Sequence, residues 1–135
     1  MFEYKTTIKM YEADVAGVLF FANQFKLVHD AYEAFLESKG FAINDLLNNT
    51  NFHLPVVHAE TDFKAPLRVG DKIVVRLFVK KIGNTSFILA HEIYKNGTEL
   101  TGSGKTVHVC IDKNTGDKLP LPMKLLEILE ALEHA

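Results

Sequence analysis

Residues 54–111 alternate between apolar and polar side chains, in segments separated by residues that are typical of turns. Alternation with a period of two predicts β-strands that have one buried face. Asn96-Gly97 is the strongest hairpin signal in the chain, because tight hairpin turns need residues that accept a positive φ, and Gly83-Asn84 marks another turn. The predicted antiparallel strands cover residues 54–63, 73–81, 85–94 and 99–111.

The N-terminal part of the chain predicts one further strand and one long helix. Residues 3–10 alternate as a strand does, and residues 11–23 form a loop. Asn23 is a good N-cap, and apolar residues then recur at helical spacing as far as Gly40, where a left-handed C-cap would fall. The loop is unusually apolar, so we expect it to be buried or to line a pocket. Its apolar side chains are those of Val15, Val18, Leu19, Phe20 and Phe21.

This order of elements predicts an α+β fold, in which a five-stranded antiparallel sheet wraps around one long helix. Residues 43–48 can add a helical turn, and Pro122 can open an amphipathic C-terminal helix. The apolar face of that helix would carry Leu125, Ile128, Leu129 and Leu132. The sheet would have two edges with unpaired backbone groups. Pairing edges across a two-fold axis removes one of them, so we expect a dimer or a dimer of dimers.

Composition excludes several classes of protein. The length of 135 residues suits one domain, which we expect to span residues 1–135, and the net charge of −2 gives no overall attraction to nucleic acid or anionic membranes. The single cysteine, Cys110, rules out a disulfide within the chain and is expected to be a buried thiol in a strand. Neither a signal peptide nor an apolar window of about 18 residues is present, so we expect a cytoplasmic protein with no membrane span.

Asp14 is the most informative polar residue, because it stands in the apolar loop that leads into the helix. A carboxylate in apolar surroundings would have a raised pKa and strong electrostatic interactions. The helix start supplies backbone N–H groups that have no partner within the helix and can polarise a carbonyl oxygen. A carboxylate that faces such donors is suited to acyl transfer. The residues alone leave open the simpler alternative, in which Asp14 only caps the loop.

The histidines do not have the spacing of a metal site. His53 and His58 would lie on opposite faces of a strand and its approach. His91 and His108 lie on different predicted strands, without carboxylates or thiols at matching spacing. We therefore expect no metal.

Three segments, in order along the chain, resemble the landmarks of one family. Residues 14–23, with the pattern Asp14-x-x-Gly17-x-x-Phe20-Phe21-x-Asn23, resemble the signature of the 4-hydroxybenzoyl-CoA thioesterase family, whose members have the hotdog fold. Residues 63–71, with Lys64, Pro66, Leu67, Arg68, Gly70 and Asp71, resemble its second landmark, and residues 82–87 resemble its third. The resemblance covers essentially the whole chain and implies an acyl-CoA thioesterase.

Within that family the chain is most similar to the 1,4-dihydroxy-2-naphthoyl-CoA hydrolases, which implies a step in menaquinone biosynthesis. A short-chain acyl-CoA branch usually has histidine where this chain has Phe21, so an aromatic acyl group is favoured over a short aliphatic one. The motifs that carry the likeness are Val18-x-x-Phe21-Ala22-Asn23, His29-x-Ala31-Tyr32-Glu33 and Pro55-x-Val57-His58-Ala59.

The resemblance implies roles for three residues of the loop. Asp14 would be either the nucleophile or the base that activates water, and both roles remain open. The backbone N–H of Phe21 would hold the thioester oxygen. Gly17 would allow a close approach of the loop to the helix. No cofactor is implied besides CoA as part of the substrate, since a thioester is already an activated acyl group.

Substrate contacts are expected from other residues, each of which has a structural or surface role as its alternative. Phe20 offers flat apolar surface for a ring, and His58 could contact a hydroxyl of an aromatic acyl group. Glu33 could approach the site from the helix, because another branch of the family uses a helix glutamate. The phosphates and pantetheine of CoA call for basic and hydroxyl side chains, for which the candidates are Lys64, Arg68, Lys80, Lys81, Thr85 and Ser86.

Other functions remain alternatives to an aromatic acyl-CoA thioesterase. One is a thioesterase for short-chain or fatty acyl groups, carried by CoA or by an acyl carrier protein. Another is a non-catalytic acyl-CoA-binding protein with the same fold, which would not need a carboxylate at Asp14. A dehydratase of this fold usually has an Asp/His pair in a different sequence setting, which the chain does not show.

Overall fold

The computed structural model describes residues 1–133, which form seven strands, three α-helices and one short 3₁₀ helix. The strands are β1 (Phe2–Thr7), β2 (Phe52–His53), β3 (Val56–Phe63), β4 (Lys72–Ile82), β5 (Ser86–Lys95), β6 (Glu99–Val109) and β7 (Ile111–Asp112). The helices are α1 (Asn23–Ser38), α2 (Ile43–Asn48) and α3 (Met123–Glu133), and the 3₁₀ helix covers Met10–Glu12.

Five of the strands form one antiparallel sheet in the order β1-β4-β5-β6-β3. The predicted α+β architecture of five strands, a long helix and a C-terminal helix is confirmed. β2 and β7 pair with each other outside this sheet. The sheet therefore has two edges, β1 and β3, and the edge at β3 is the one nearest to the start of α1, because Gln24 of α1 bonds to residues of β3.

The predicted alternation along the central strands is confirmed by burial. Every second residue faces α1 and contributes to a core that α3 also joins. On β4 and β5 these buried residues are Ile73, Val75, Leu77, Phe87, Leu89, His91 and Ile93. The helices contribute most of the remaining core, with Leu27, Ala31, Phe35, Leu36, Leu125, Leu129 and Leu132.

Two predicted chain reversals have the backbone that their residues favour. Gly40 has φ +85° directly after α1, and the N–H of Phe41 donates to the carbonyl of Leu36 at 2.9 Å, as in a Schellman C-cap. Between β5 and β6, Asn96 and Gly97 have φ values of 54° and 75°. Both positions lie in the left-handed region, which explains the preference of this turn for Asn-Gly.

The start of α1 differs from the prediction. Asn23 is the first residue of the helix and not its N-cap, and its side-chain amide donates to the carbonyl of Glu12 at 2.8 Å. The N-cap is Ala22, whose side chain has no oxygen with which to accept a backbone N–H. The asparagine is therefore used to tie the preceding loop to the helix.

The strand that was predicted over residues 54–63 is shorter than expected. Pro55 lacks a backbone N–H, and β3 begins only at Val56, after which a register shift occurs before His58. Residues 52–53 pair instead with β7. The other predicted elements agree with the structure to within a few residues, and α2 covers the predicted residues 43–48.

Cys110 is completely buried, as predicted, but it lies between β6 and β7 and not within a strand as expected. Burial raises the pKa of its thiol, which makes it a poor nucleophile at neutral pH. None of the helices in residues 1–133 is long and apolar enough to cross a membrane.

Two buried histidines predict that the fold loses stability in acid. Burial lowers the pKa of both His91 and His108 to about 4, with a further contribution from His29 to His108. Between pH 6.5 and about 4 the unfolded chain therefore binds more protons than the folded chain, so the free energy of unfolding decreases as pH falls. We expect a slope of up to about 1.4 kcal/mol per pH unit for each ring.

Urea unfolding at several pH values between 7 and 4.5 measures this slope. His53→Gln is the control for the loss of an imidazole, because His53 is exposed. A free energy of unfolding that stays constant between pH 6.5 and 5 would contradict the prediction.

Candidate active site

Asp14 lies in a tight turn that is closed by backbone hydrogen bonds. Ala13 and Leu19 form an isolated antiparallel bridge, and the N–H of Asp14 donates to the carbonyl of Val18 at 2.8 Å. Oδ1 of Asp14 accepts the N–H groups of Ala16 and Val18 at 2.9 and 3.2 Å. The carboxylate therefore does cap the loop, but with one oxygen. The other oxygen, Oδ2, meets no hydrogen-bond donor within residues 1–133.

Of the two outcomes expected for this loop, burial is not found in the chain on its own, whereas Val18 and Phe21 do line a groove beside residues 63–67. Asp14 is exposed, and so are the side chains of Val15, Phe20 and Phe21. Of the apolar residues in the loop, only Leu19 is buried. The loop is held by backbone bonds, so its apolar side chains remain available to cover a ligand or another chain.

The buried carboxylate of this region belongs to Glu12. Its side chain is 2% exposed, Oε1 accepts the N–H of Lys9 at 2.8 Å, and Oε2 lies 3.2 Å from Nζ of Lys26 on α1. The carbonyl of Glu12 also accepts the N–H of Phe20 at 3.0 Å. Glu12 thus holds the loop against the first turn of α1. Glu12 and Lys26 are 14 residues apart, which is not a local pattern, so their contact could not be predicted from the sequence.

Two backbone donors are open at the start of α1. The N–H of Phe20 is bonded to Glu12, and the N–H of Asn23 donates to the carbonyl of Phe20 at 2.8 Å. Between them, the N–H groups of Phe21 and Ala22 have no acceptor among the described residues. Because Ala22 offers no capping oxygen, both groups can donate to an oxygen of a bound molecule, assisted by the positive end of the helix dipole.

The loop packs directly against the second landmark, residues 63–71. The N–H of Leu19 donates to the carbonyl of Leu67 at 2.7 Å, and the N–H of Val69 donates to the carbonyl of Gly17 at 3.2 Å. The first two landmarks are therefore parts of one structural unit. A groove of about 370 Å³ lies where they meet, and its lining includes Val18, Phe21, Gln24, Phe63 and Lys64.

Gly17 was expected to allow a close approach of the loop to the helix, and the structure does not show such an approach. No atom lies within 4 Å of the position that a Cβ at Gly17 would occupy, so the residue does not permit a close approach to the helix. Its φ is +75°, and its N–H donates to the carbonyl of Asp14 at 3.1 Å. The glycine is instead suited to the left-handed backbone of the turn that presents Asp14.

The candidate CoA-binding residues fall into two groups. Lys64 and Arg68 are exposed beside the Asp14 loop. The remaining candidates lie at the opposite end of the sheet, where β4 meets β5. That end is about 30 Å away, since β4 extends by roughly 3.3 Å for each of its residues. A single chain therefore does not bring this second group, which consists of Lys80, Lys81, Thr85 and Ser86, to Asp14.

His58 and Glu33 are both partly exposed and lie apart from Asp14 in sequence and in the fold. His58 stands on the edge strand β3, with Nε2 3.5 Å from Oε1 of Glu60. Glu33 lies ten residues into α1, about 15 Å along the axis from its start, and Oε1 is 3.3 Å from Nε2 of His29. Glu33 is thus paired within its own helix and does not approach the Asp14 loop of the same chain.

A buried polar network that the sequence did not reveal fixes the start of α1 on the sheet. Nε2 of Gln24 donates to Oγ1 of Thr61 at 2.7 Å, and the same oxygen lies 2.9 Å from Nε2 of His91. Two glycines of β6 allow this close packing. A Cβ at Gly102 would stand 2.6 Å from Nε2 of Gln24, and a Cβ at Gly104 would overlap the carbonyl oxygen of Glu60. The only feature of the sequence that could have indicated this network is the pair of glycines inside a predicted strand, because glycine there often marks a close approach of another group.

Among residues 1–133, no group of three or more His, Cys, Asp or Glu side chains could hold a metal ion. The Asp14 loop offers a carboxylate oxygen, two backbone N–H donors and an adjoining, mostly apolar groove.

Comparison with known proteins gives a consistent result. The profile of the thioesterase-like superfamily matches residues 8–129. A 1,4-dihydroxy-2-naphthoyl-CoA hydrolase from Nostoc punctiforme is 36% identical over 129 residues, which cover 96% of this chain and 86% of the relative. The hydrolase of the same name from Rippkaea orientalis is 33% identical, with coverage of 100% and 99%.

Solved structures agree with these sequence relatives. A 1,4-dihydroxy-2-naphthoyl-CoA thioesterase from Synechocystis superimposes with a TM-score of 0.92 at 31% identity, covering 99% of this chain and 98% of that one. A gentisyl-CoA thioesterase superimposes with a TM-score of 0.84 at 28% identity, with coverage of 94% and 98%. The names of both neighbours describe CoA thioesters of hydroxylated aromatic acids.

Proposed function

This chain belongs to the thioesterase-like superfamily, and from that membership we propose that it is an acyl-CoA thioesterase that hydrolyses a 1,4-dihydroxy-2-naphthoyl-like acyl group to the free acid and CoA. The observation that carries the proposal is the pair of open N–H groups, at Phe21 and Ala22, beside the loop that presents Asp14. These parts match what hydrolysis of a thioester needs: donors for the developing oxyanion and a carboxylate that promotes attack.

In the proposed reaction the thioester carbonyl oxygen accepts the N–H of Phe21, with Ala22 as a second donor. Asp14 acts in one of two ways. As a base, it takes a proton from water while the water oxygen attacks the carbonyl carbon, the C–S bond breaks and the CoA thiolate takes up a proton. As a nucleophile, it forms a mixed anhydride with loss of the CoA thiolate, and water then hydrolyses the anhydride. No metal and no cofactor take part in either route.

We propose that CoA is bound by two chains together. Lys64 and Arg68 suit the anionic phosphates or the pantetheine arm near Asp14 of their own chain. The group Lys80, Lys81, Thr85 and Ser86 is about 30 Å from Asp14 in the same chain, so it can contribute only from a second chain whose sheet runs in the opposite direction. His58, on the edge strand, would also reach the site across such an interface.

The edge strand β3 is the surface that we propose for dimerisation. Its side chains are almost all exposed, and they include the apolar residues Val56, Val57 and Phe63, which are 42%, 59% and 56% exposed. A long edge strand with exposed apolar side chains pairs readily with another strand. Pairing β3 with β3 of a second copy would continue the sheet across a two-fold axis, and two such dimers could associate further into a tetramer.

We expect the protein to sediment as a dimer or a larger oligomer at micromolar concentration, and Val57→Asp to shift it toward monomer. The substitution would place a charged side chain within the paired edge strands, where its removal from water is not compensated. Met123→Asp is the control, because Met123 is 68% exposed at the start of α3, which packs on the sheet near β4 and away from β3. A wild-type protein that sediments as a monomer would contradict the prediction.

A panel of acyl-CoA substrates with a free-thiol readout tests the proposed activity. It should include 1,4-dihydroxy-2-naphthoyl-CoA, benzoyl-CoA, butyryl-CoA and a fatty acyl-CoA, with acyl carrier protein thioesters as a second set. Release of thiol from none of them would overturn the proposal and favour a binding protein. From the named relatives we further propose that the enzyme belongs to menaquinone biosynthesis. We also propose that it is a single-domain protein, because one family profile spans residues 8–129, and that it is cytoplasmic, as the sequence pattern led us to expect.

A further inference from the structure

A second pocket lies between α1 and the strands β3 and β6. Its volume is about 330 Å³, which falls in the range of roughly 300–1,000 Å³ that is usual for small-molecule sites. Most of its wall is apolar or aromatic, with Phe25, Val28, Val56 and Ala59 among the lining residues. Phe25 follows Phe21 by one helical turn, so the pocket begins about 6 Å along the helix from the open donors at its start.

Two residues that line this pocket each carry a buried polar atom that has no partner among residues 1–133. Tyr32 is 6% exposed and His108 is 1% exposed, and both line the pocket. Among the described residues, the hydroxyl of Tyr32 and Nδ1 of His108 have no hydrogen-bond partner. Their rings pack together with centroids 4.5 Å apart. Buried polar groups are rarely left unpaired, because the loss of their hydration is then uncompensated.

The surroundings of His108 keep its ring fixed and neutral. Phe87 stacks on the ring with centroids 4.7 Å apart, and Nε2 lies 2.8 Å from Oγ1 of Thr106. Burial lowers the pKa of His108 to about 4, so at neutral pH the ring keeps one N–H and one lone pair. With Nε2 engaged by Thr106, Nδ1 is the nitrogen that remains available, as a donor or as an acceptor depending on the tautomer.

We propose that the pocket between α1 and β3 holds the ring of the acyl group, and that the Tyr32 hydroxyl and Nδ1 of His108 select rings that carry hydroxyl groups. The proposal rests on the proposed function for the position of the thioester. A phenolic hydroxyl both donates and accepts, so it satisfies either tautomer of His108 together with Tyr32. An unsubstituted ring fills the same space but leaves both protein groups unpaired. A site that is built to bind a hydroxyl therefore binds a ring without that hydroxyl more weakly.

The distances along the helix are consistent with this assignment. Tyr32 follows Phe21 by 11 residues, which is about 16 Å along the axis. Tyrosine side chains on helices lean back toward the N-terminus, which brings the hydroxyl closer to the thioester by several ångströms. The remaining gap is longer than a short aliphatic acyl group and is comparable to the length of a bicyclic ring that extends from a carbonyl held at Phe21.

The test compares two ligands that differ only in hydroxyl groups. Dissociation constants of 1,4-dihydroxy-2-naphthoate and 2-naphthoate are measured by calorimetry without oxygen, and kcat/KM is measured for their CoA thioesters. Tyr32→Phe should lower the preference for the hydroxylated ligand by about 10-fold or more in both measurements. The substitution removes only a hydroxyl that has no partner among residues 1–133, so the variant should fold. Tyr94→Phe is the control, since Tyr94 packs under Arg76 on another strand.

The outcomes separate this inference from the proposed function. Hydrolysis of both thioesters with an unchanged preference in Tyr32→Phe would overturn the selection by Tyr32 and leave the thioesterase intact. A preference in binding that falls in Tyr32→Phe, without hydrolysis by the wild type, would support the pocket and overturn the proposed reaction. Wild-type protein that binds the two acids equally, or binds neither, would overturn the inference.

Discussion

Asp14→Asn is expected to fold normally and to lose about 100-fold or more in kcat on its best substrate, because either role of the carboxylate requires its charge. Asparagine keeps an oxygen that can accept the N–H groups of Ala16 and Val18, which now donate to Oδ1 at 2.9 and 3.2 Å. The turn should therefore keep its shape. Far-ultraviolet circular dichroism and urea unfolding check the fold, and thiol release measures kcat.

A matched control for this variant exists in the same chain. Oδ1 of Asp112 accepts the N–H groups of Asn114 and Thr115 at 2.8 and 3.0 Å, and so caps its turn much as Asp14 caps its own loop. Asp112→Asn should keep its activity. If Asp14→Asn turned over at a rate near that of the wild type, Asp14 would be only a capping residue, and the mechanism proposed for this site would be wrong.

The fold was predictable from the sequence where the pattern of side chains is local. Alternation over residues 73–81 and 85–94 gave the buried faces of β4 and β5, and Asn96-Gly97 gave the turn. The errors arose where a contact between residues far apart in sequence determines the local structure. Asn23 has the residue type of an N-cap, but its amide bonds to the carbonyl of Glu12, 11 residues earlier, and no propensity predicts that choice.

The candidate site was predictable only in part, for a related reason. The resemblance located the Asp14 loop and the helix start, but burial could not be deduced from a run of apolar residues. Val15 and Phe21 are exposed, and the carboxylate that is buried is that of Glu12, whose partner Lys26 lies on the helix. The unpartnered Nδ1 of His108 was equally hidden, because a histidine on a predicted strand shows neither its tautomer nor its hydrogen-bond partners.

Aromatic acyl-CoAs, and hydroxylated bicyclic ones above all, are expected to have kcat/KM values about 30- to 150-fold higher than that of butyryl-CoA, if the extra binding is expressed in the transition state. An additional ring buries on the order of 100 Å² of apolar surface, which is worth roughly 2–3 kcal/mol at ~25 cal/mol/Å². Acetyl-CoA should be a poorer substrate than butyryl-CoA for the same reason.

Beyond the pocket between α1 and β3, exposed aromatic surface also lies next to the proposed position of the thioester, where it can cover the near edge of the acyl group. The rings of Phe20 and Phe21 lie with centroids 4.9 Å apart and are 45% and 65% exposed, so they are not consumed by the core of the chain. Phe21 also leaves the site without a histidine at that position, which makes the surroundings of the acyl group less polar. The measurement is kcat/KM for naphthoyl-, benzoyl- and butyryl-CoA with one preparation of enzyme. If kcat/KM for butyryl-CoA equalled or exceeded the values for both aromatic substrates, the aromatic assignment would have to be abandoned. The exposed phenylalanines would then be interface residues, and only the assignment as a general thioesterase would remain.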